Sequence, residues 1–514
     1  MRQSMRARLV IRDIRSSRLQ GGDLLKPVNS GGHAAYQSFV CSSSIKYCPS
    51  FSSVTRNTLL IAERFFETDL SEVDLLMRDR YSDFGPKPRL PSCMLRSMLL
   101  SIELRVTSFT QWVRMLHESP LYAILSGFSP EDVPGVGTFY DFASRLWMLK
   151  DGNLAPHIRM PEQKISAPSR KGQKADSIEK VTVKSLLDSY RSTPVSVYQP
   201  YSLLYSIFHQ LFLNVSVRKG LIDPKHLTLS GDGTPIMTSN RERSREVYSS
   251  SPVRKRYYSQ PDCDIGWDSS RDKFYFGYSL YMLTDAASGR DLPIFPLLGP
   301  ASRHDSMALI RTWFAMKAFL PDVHVDKILL DAAHDAMPFY QYFHDEGVKA
   351  FIDLNSGRGR KARLDNGIIV GSDGIPVCQA GLKMIRDGVD HTKMNIKFRC
   401  PYAWGKEPIS SRCCCPCSDS SYGRVIKIPS SANLRLFMIP PRLSREWKKE
   451  YNARTASERS NKREKIDFLI ENGRHRSSKM WCCRLFCIAM CQHLDAWDLP
   501  DRFTLIESLK QATA

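Results

Sequence analysis

The chain has 514 residues, 42% hydrophobic and 10% aromatic, which excludes a disordered protein and leaves room for about two to four domains. Lys plus Arg exceed Asp plus Glu by 73 − 53 = 20, an excess that points to a polyanionic partner, nucleic acid first. No run of 18 apolar residues occurs, so no membrane span is expected; the Arg- and Ser-rich N-terminus lacks the apolar stretch of a secretory signal, and an organelle transit peptide is the only leader it imitates.

Residues 1–55 are rich in Ser, Gly and Arg and read as a poorly ordered basic arm. From 56 to 150 the pattern is helical, through the apolar runs of 59–79, 92–106 and 108–128, with turns at Gly85-Pro86 and Pro134-Gly135. In so basic a chain this small helical domain is the candidate DNA-binding domain, although it shows no diagnostic helix-turn-helix spacing. Residues 151–220 read as a basic linker, with Lys164, Arg170, Lys171 and Lys174, followed by a helix over Tyr201–Val215.

The period then changes. His226–Ser230 alternates as a strand and runs into Gly231-Asp232-Gly233; Lys273–Leu283 is a second strand and Leu292–Leu298 a third. Asp305–Phe319 has helical spacing, Val325–Leu330 is a strand closing on Asp331, Pro338–Glu346 is helical and Val348–Leu354 is again a strand. The first and fourth strands of this order each end in an aspartate, and as parallel neighbours joined by a crossover helix they bring both carboxylates to one sheet edge. Over 221–355 that is the first part of a ribonuclease-H-like α/β core.

Residues 356–440 read as a β-rich insertion, with short strands at Gly367–Gly371, Asn395–Phe398 and Gly423–Ile428. Clustered cysteines such as Cys413-Cys414-Cys415 do not suggest a secreted disulfide framework, so a reducing interior is expected. Cys378, Cys400, Cys413 and Cys417, spaced C-x21-C-x12-C-x3-C, either close a structural zinc site or remain free thiols. Cys482, Cys483, Cys487 and Cys491 have helical spacing beside Trp481, Leu485 and Phe486 and read as a buried helix face.

Residues 441–514 carry the most informative stretch, YNARTASERSNKREK over 451–465. Tyr451, Arg454, Glu458 and Lys465 stand at offsets 0, 3, 7 and 14, which on one helix fall within roughly 60° of each other. A stripe carrying a phenol, a guanidinium, a carboxylate and an ammonium, with Lys462 at its margin, suits a metal ion flanked by phosphates. An ordinary solvated helix with an Arg454–Glu458 pair is the plain alternative. Asp232, Asp331 and Glu458 together supply the carboxylates that two Mg²⁺ or Mn²⁺ ions about 3.5–4 Å apart require for phosphodiester chemistry.

With these motifs the chain resembles the DDE-type transposases of bacterial insertion sequences that carry the pattern Y-x2-R-x3-E-x6-K. Tyr451, Arg454, Glu458 and Lys465 match it at every spacing, and GDGTP around Asp232 and ILLDAAHD around Asp331 resemble the other two motifs. The resemblance covers roughly 220–495. It implies that Asp232, Asp331 and Glu458 bind the metal ions and that Tyr451, Arg454, Lys465 and Lys462 contact the transposon end. Ala333-His334 stands where the family has Gly-Tyr, which leaves Asp335 as a rival to Asp331. Trp267 and Trp404 are both candidates for the aromatic that stacks a flipped base.

The function so implied is cleavage of double-stranded DNA at terminal inverted repeats and strand transfer into target DNA, by a homodimer in the synaptic complex, in the cytoplasm at the nucleoid. A hydrolytic DNA nuclease of the same fold and a non-catalytic DNA-binding relic of a transposase are the alternatives.

Overall fold

Helix begins well before residue 56. The computed structural model describes residues 31–48, 55–82, 87–148, 181–239, 242–247, 253–258, 263–269, 271–355, 362–364, 368–404, 417–499 and 503–513. Helix α1 (Gly32–Tyr47) lies within the stretch expected to be a loose arm, with Val40 fully buried and the Tyr36 hydroxyl donating to the Leu125 carbonyl at 2.9 Å. Tertiary burial of a few side chains holds this helix, which is why periodicity does not reveal it.

Then follow α2 (Arg56–Glu67), α3 (Glu72–Leu76), α4 (Pro91–Glu103), α5 (Phe109–Glu118), α6 (Pro120–Ser126) and α7 (Val136–Arg145). Their ends are set locally. Thr55 and Ser108 accept the amides of Thr58 and Gln111, prolines open α4 and α6, and Gly127 at φ 90° closes α6. Residues 149–180 of the expected linker lie outside the described residues, and its end is helix α8 (Val183–Ser192). Helices α9 (Ser202–Phe208) and α10 (Asn214–Arg218) join through a π-helical turn at His209–Leu213.

The chain is a mixed α/β protein built on a mixed sheet. Its strands are β1 (Leu227–Met237), the hairpin β2 (Glu242–Val247) and β3 (Val253–Tyr258), β4 (Asp264–Asp268), β5 (Lys273–Asp285) and β6 (Pro293–Pro300). After α11 (Asp305–Phe319) come β7 (Val325–Leu330), α12 (Met337–Asp345) and β8 (Lys349–Ile352). The main sheet has the order β4-β5-β1-β7-β8, with β6 beside β5. Strand β5 is antiparallel to β1, β4 and β6, whereas β1, β7 and β8 are parallel. The parallel neighbourhood of the first and fourth predicted strands is therefore present, while the β2–β3 hairpin and β4 are additions. One expectation needs correction: β1 does not end at Asp232. It continues to Met237 because β5 goes on pairing with it, from Asp232 opposite Met282 to Met237 opposite Gly277.

The insertion is β-rich as expected. It contains β9 (Ala362–Arg363), β10 (Ile369–Val370) and β11 (Pro376–Val377) in one small antiparallel sheet. A second sheet holds β12 (Ile385–Asp390), β13 (Asn395–Arg399) and β14 (Val425–Pro429), and Val370, Ile396, Phe398, Ile428 and Phe437 form a core of their own. The chain ends with α13 (Arg445–Asn452), α14 (Thr455–Lys462), α15 (Ser478–Ala496) and α16 (Thr504–Thr513).

Helix α15 ties the molecule together. Its Cys491 and Cys483 thiols reach the carbonyls of Leu99 and Ala143 in the N-terminal helices, and His493 Nε2 lies 2.8 Å from the Pro293 carbonyl of β6. Cys482, Cys483, Cys487 and Cys491 are all buried, as their spacing predicts, and burial pushes the Cys487 thiol up to about 12. The helices of 56–148 therefore share one apolar core with the sheet instead of enclosing a separate one. Among the described residues no helix is long and apolar enough to cross a membrane.

Candidate active site

The site is built where β7 stops and β1 continues. Parallel pairing runs from Leu227 opposite Val325 to Ser230 opposite Leu329, and two steps further along the same register Asp232 stands level with Asp331. The glycines beside Asp232 are spacing devices. A Cβ on Gly231 would come within 2.7 Å of the Tyr281 hydroxyl and 2.9 Å of Leu330, and one on Gly233 would overlap the Asp305 carboxylate. The Gly-Asp-Gly sequence is thus a close-approach motif in mid-strand, where the sequence alone reads as a turn.

Asp331 caps the short 3₁₀ turn Ala332–His334 and accepts the Ala333 amide at 3.1 Å. His334 is fully buried, with Nδ1 2.6 Å from Asp331 Oδ1 and Nε2 2.9 Å from the Tyr281 hydroxyl. Burial, followed by the charges of Asp305, Asp232 and Asp331, holds the Tyr281 phenol well above its ordinary value, so it stays protonated beside Nε2. The imidazole then presents Nδ1–H to Asp331 and orients that carboxylate. Burial raises the Asp331 carboxyl, but the His334 bond, the Ala333 amide and Arg454 outweigh it and keep Asp331 below the ordinary aspartate range.

Asp331 and Asp335 stand in different surroundings. Asp335 is buried and receives Arg435 Nε at 2.7 Å and Nη2 at 2.6 Å, the Tyr340 hydroxyl at 2.9 Å and the Asn355 amide at 2.8 Å. Its oxygens are engaged in joining the insertion to the core, whereas Asp331 is 37% exposed at the sheet edge.

The stretch 451–465 is not one helix. Helix α13 ends at Asn452, α14 starts at Thr455, and a π-helical turn takes over at Arg463–Asp467. At the joint, hydroxyls reach backbone carbonyls: Thr455 Oγ1 bonds Asn452, while Ser457 Oγ and Ser230 Oγ both approach the Arg454 carbonyl, at 3.0 and 2.7 Å. Ser230 lies two residues before Asp232, so this contact docks the helix pair onto β1. The inner face of α14 is buried and polar, with Ser457, Ser460 and Asn461.

The breaks redistribute the expected stripe. Tyr451 stacks on Trp447 with centroids 4.6 Å apart, and Arg454 lies 5.9 Å over its ring. Arg454 pairs with Glu458, and its charge also acts on Asp232 and Asp331, which places it between the helix acid and the strand acids. Glu458 is 51% exposed, and Lys462 is exposed on the same helix. Lys465 turns away to Glu471, 3.8 Å distant at the far end of β1, where Glu471 also accepts the Met237 amide. Burial lowers the Lys465 ammonium.

Two participants escaped the sequence pattern. Asp305, the first residue of α11, occupies the slot over Gly233, and burial followed by Asp331 raises its carboxyl. Asn461 Nδ2 donates to Asp232 Oδ2 at 3.0 Å. Burial, then Asp305, then Asp331 push the Asp232 carboxyl up to about 7 against the pull of Arg454 and His334. The GDG sequence was the available signal for Asp305, since a glycine after a strand acid marks a close approach.

This oxygen-rich donor set matches a hard divalent cation, and the Asn461 amide oxygen, buried beside Asp232, has no hydrogen-bond partner among the described residues. As placed, no three His, Cys, Asp or Glu side chains among the described residues stand close enough to hold a metal ion. Cys378, Cys400 and Cys417 likewise form no metal-holding group, and Cys413 lies outside the described residues. Trp267, on the edge strand β4, meets Phe274 edge-on at 4.7 Å and precedes Asp268, whose charge acts on Lys465. Trp404, in the insertion, lies 5.0 Å from the Arg399 guanidinium. No family model, curated protein or solved structure matches the chain.

Proposed function

We propose that the chain is a DDE-type DNA transposase with a ribonuclease-H-like core, cutting double-stranded DNA at the ends of its element and joining the freed 3′-hydroxyl to target DNA. One observation carries this reading: Asp232 and Asp331 stand level on parallel strands, with the Tyr451–Arg454–Glu458 helices docked beside them through Ser230. Asp232, Asp331 and Glu458 are the residues that would hold Mg²⁺ or Mn²⁺. Such ions would activate the attacking oxygen and stabilise the leaving oxygen of a phosphodiester.

The protein's own residues do the rest. His334 and Tyr281 fix the Asp331 carboxylate, and Asn461 fixes that of Asp232. Arg454 is the cation a phosphate meets first, and a phosphate that takes it from Glu458 frees the glutamate for the ion. Tyr451 and Lys462 line the approach, and Lys465 receives the strand beyond the end of β1. The net charge of +20 supplies sequence-independent affinity for DNA. Synapsis of two ends calls for a homodimer, and the cell compartment is that of the nucleoid.

The test is cleavage and joining of a duplex bearing the element's own ends, with wild type beside Asp232→Asn and Glu458→Ala. Wild type is expected to give cut and joined products in Mg²⁺ or Mn²⁺, and the variants to bind DNA while losing about a thousandfold in product. Cutting without joining would make the chain a hydrolytic nuclease. Tight binding without cutting would make it a DNA-binding relic.

A further inference from the structure

Asp305 is an acid that the three-acid reading does not use, yet the backbone around it is shaped to admit it. It follows the N-cap His304 at the start of α11, and its carboxylate fills the space that any side chain at 233 would need. A first-turn acid complements a helix dipole, but that role is satisfied at the surface and needs no gap in a neighbouring strand. Across the cluster, Asn461 is 7% exposed. Its Nδ2 is spent on Asp232, and its Oδ1 has no hydrogen-bond partner among the described residues. Burying an unpaired amide oxygen is costly, so its retention beside a carboxylate needs a reason. Carboxylate and side-chain amide oxygens together are the ligand types of hard divalent cations.

We propose that Asp305 and Asn461 are ligands of the same divalent cation as Asp232 and Asp331, giving a site of three aspartates and one amide oxygen. The inference rests on the proposed function for the roles of Asp232 and Asp331, and it adds ligands that the Tyr-Arg-Glu-Lys pattern does not contain. It also divides the acids by task. The aspartates load the first ion on the strand edge, and Glu458, exposed and paired with Arg454, joins when DNA is bound.

Mn²⁺ titration of the full chain without DNA, read from the electron paramagnetic resonance of the free ion, tests this directly. Asp305→Asn and Gly233→Ala are each expected to weaken Mn²⁺ binding by about tenfold or more, as Asp232→Asn does, because affinity follows ligand charge and placement. Gly233→Ala changes no charge and only displaces Asp305. Asp326→Asn, an acid removed at the opposite end of β7, is expected to change binding by less than about twofold, since exposed charges at that distance are screened. Wild-type affinity in both Asp305→Asn and Gly233→Ala, with loss in Asp232→Asn, overturns the inference and leaves the proposed function standing. Absence of Mn²⁺ binding by wild type overturns both.

A second measurement needs no variant. Fe²⁺ with peroxide and ascorbate should cut the wild-type backbone near 232, 305 and 331, and cuts near 232 and 331 with none near 305 would sink the inference.

Discussion

The strand edge that carries Asp232 and the helix that carries Glu458 are held in opposite ways. On the strands, position follows from packing and register: two glycine slots are filled by neighbours, and Asp331 is tied through His334 to Tyr281. On α14 the acid projects into solvent and meets Arg454 in an exchangeable ion pair. Strand acids are thus set before any ligand arrives, while the helix acid can be redirected by whatever binds its arginine. Preorganised groups cost no reorganisation during reaction, and mobile ones let the substrate complete the site.

The strand side should break hardest at Asp335, which anchors the turn behind Asp331 to the insertion. Asp335→Ala strands the partly buried Arg435 and removes acceptors from Tyr340 and the Asn355 amide. Removing one partner of such a pair is expected to cost about 3–5 kcal/mol in urea unfolding. A loss under about 1 kcal/mol would mean that the edge is not held as described. Ser230→Ala probes the seam between the two halves. Its hydroxyl lies 2.7 Å from the Arg454 carbonyl and 2.8 Å from the Ser457 hydroxyl, and its loss should cost about 1–2 kcal/mol. Amide exchange should then quicken in α14 and not in β1, whose ladder is untouched.

What the sequence discloses and what it hides follow the same divide. Apart from the β2–β3 hairpin and β4, the order of strands and helices from His226 to Leu354 is legible because each segment carries its own period, and the level placement of Asp232 and Asp331 follows from that order. The break at Arg454 is hidden in part because one hydroxyl that bonds a carbonyl there, Ser230, is remote in the chain. Asp305 is hidden because an acid in a first helical turn has an ordinary explanation, and Asn461 because a polar residue on a polar helix reads as solvated. Sharing of the core by the N-terminal helices is hidden because it depends on α15, whose apolar face runs all the way round. The one motif matched at every spacing, Tyr451 to Lys465, lies on the part of the site least fixed by packing.

The inner face of α14 and the turn after it offer a finer test, since they should behave like the strand side. Glu464 is fully buried beside Gln492, and burial pushes its carboxyl from 4.5 up to about 8. The folded state keeps the proton over a range in which the unfolded chain releases it. This contribution is therefore whole below about pH 4.5, declines as pH rises and is gone above about pH 8. Glu464→Gln carries no such penalty, so its melting temperature relative to wild type should climb between about pH 5 and pH 8. A difference that stays flat with pH would mean that Glu464 is already ionised in the fold.

Glu458→Gln should have the smallest effect on the fold. The side chain is 51% exposed and its partner Arg454 sits four residues earlier, at the N-cap of the same helix, a geometry whose removal costs well under about 1 kcal/mol. Unfolding by urea should therefore hardly distinguish the variant from wild type, while cleavage of an end-bearing duplex is lost. Separation of the two readouts is what a group held for chemistry predicts, because the fold neither buries it nor bonds it elsewhere. Arg454→Gln should separate them less cleanly, since that guanidinium is only 19% exposed and its charge also acts on Asp232 and Asp331. A stability loss for Glu458→Gln approaching that of Asp335→Ala would show that the helix acid is a structural group, and the division between a fixed strand edge and a redirectable helix would fail.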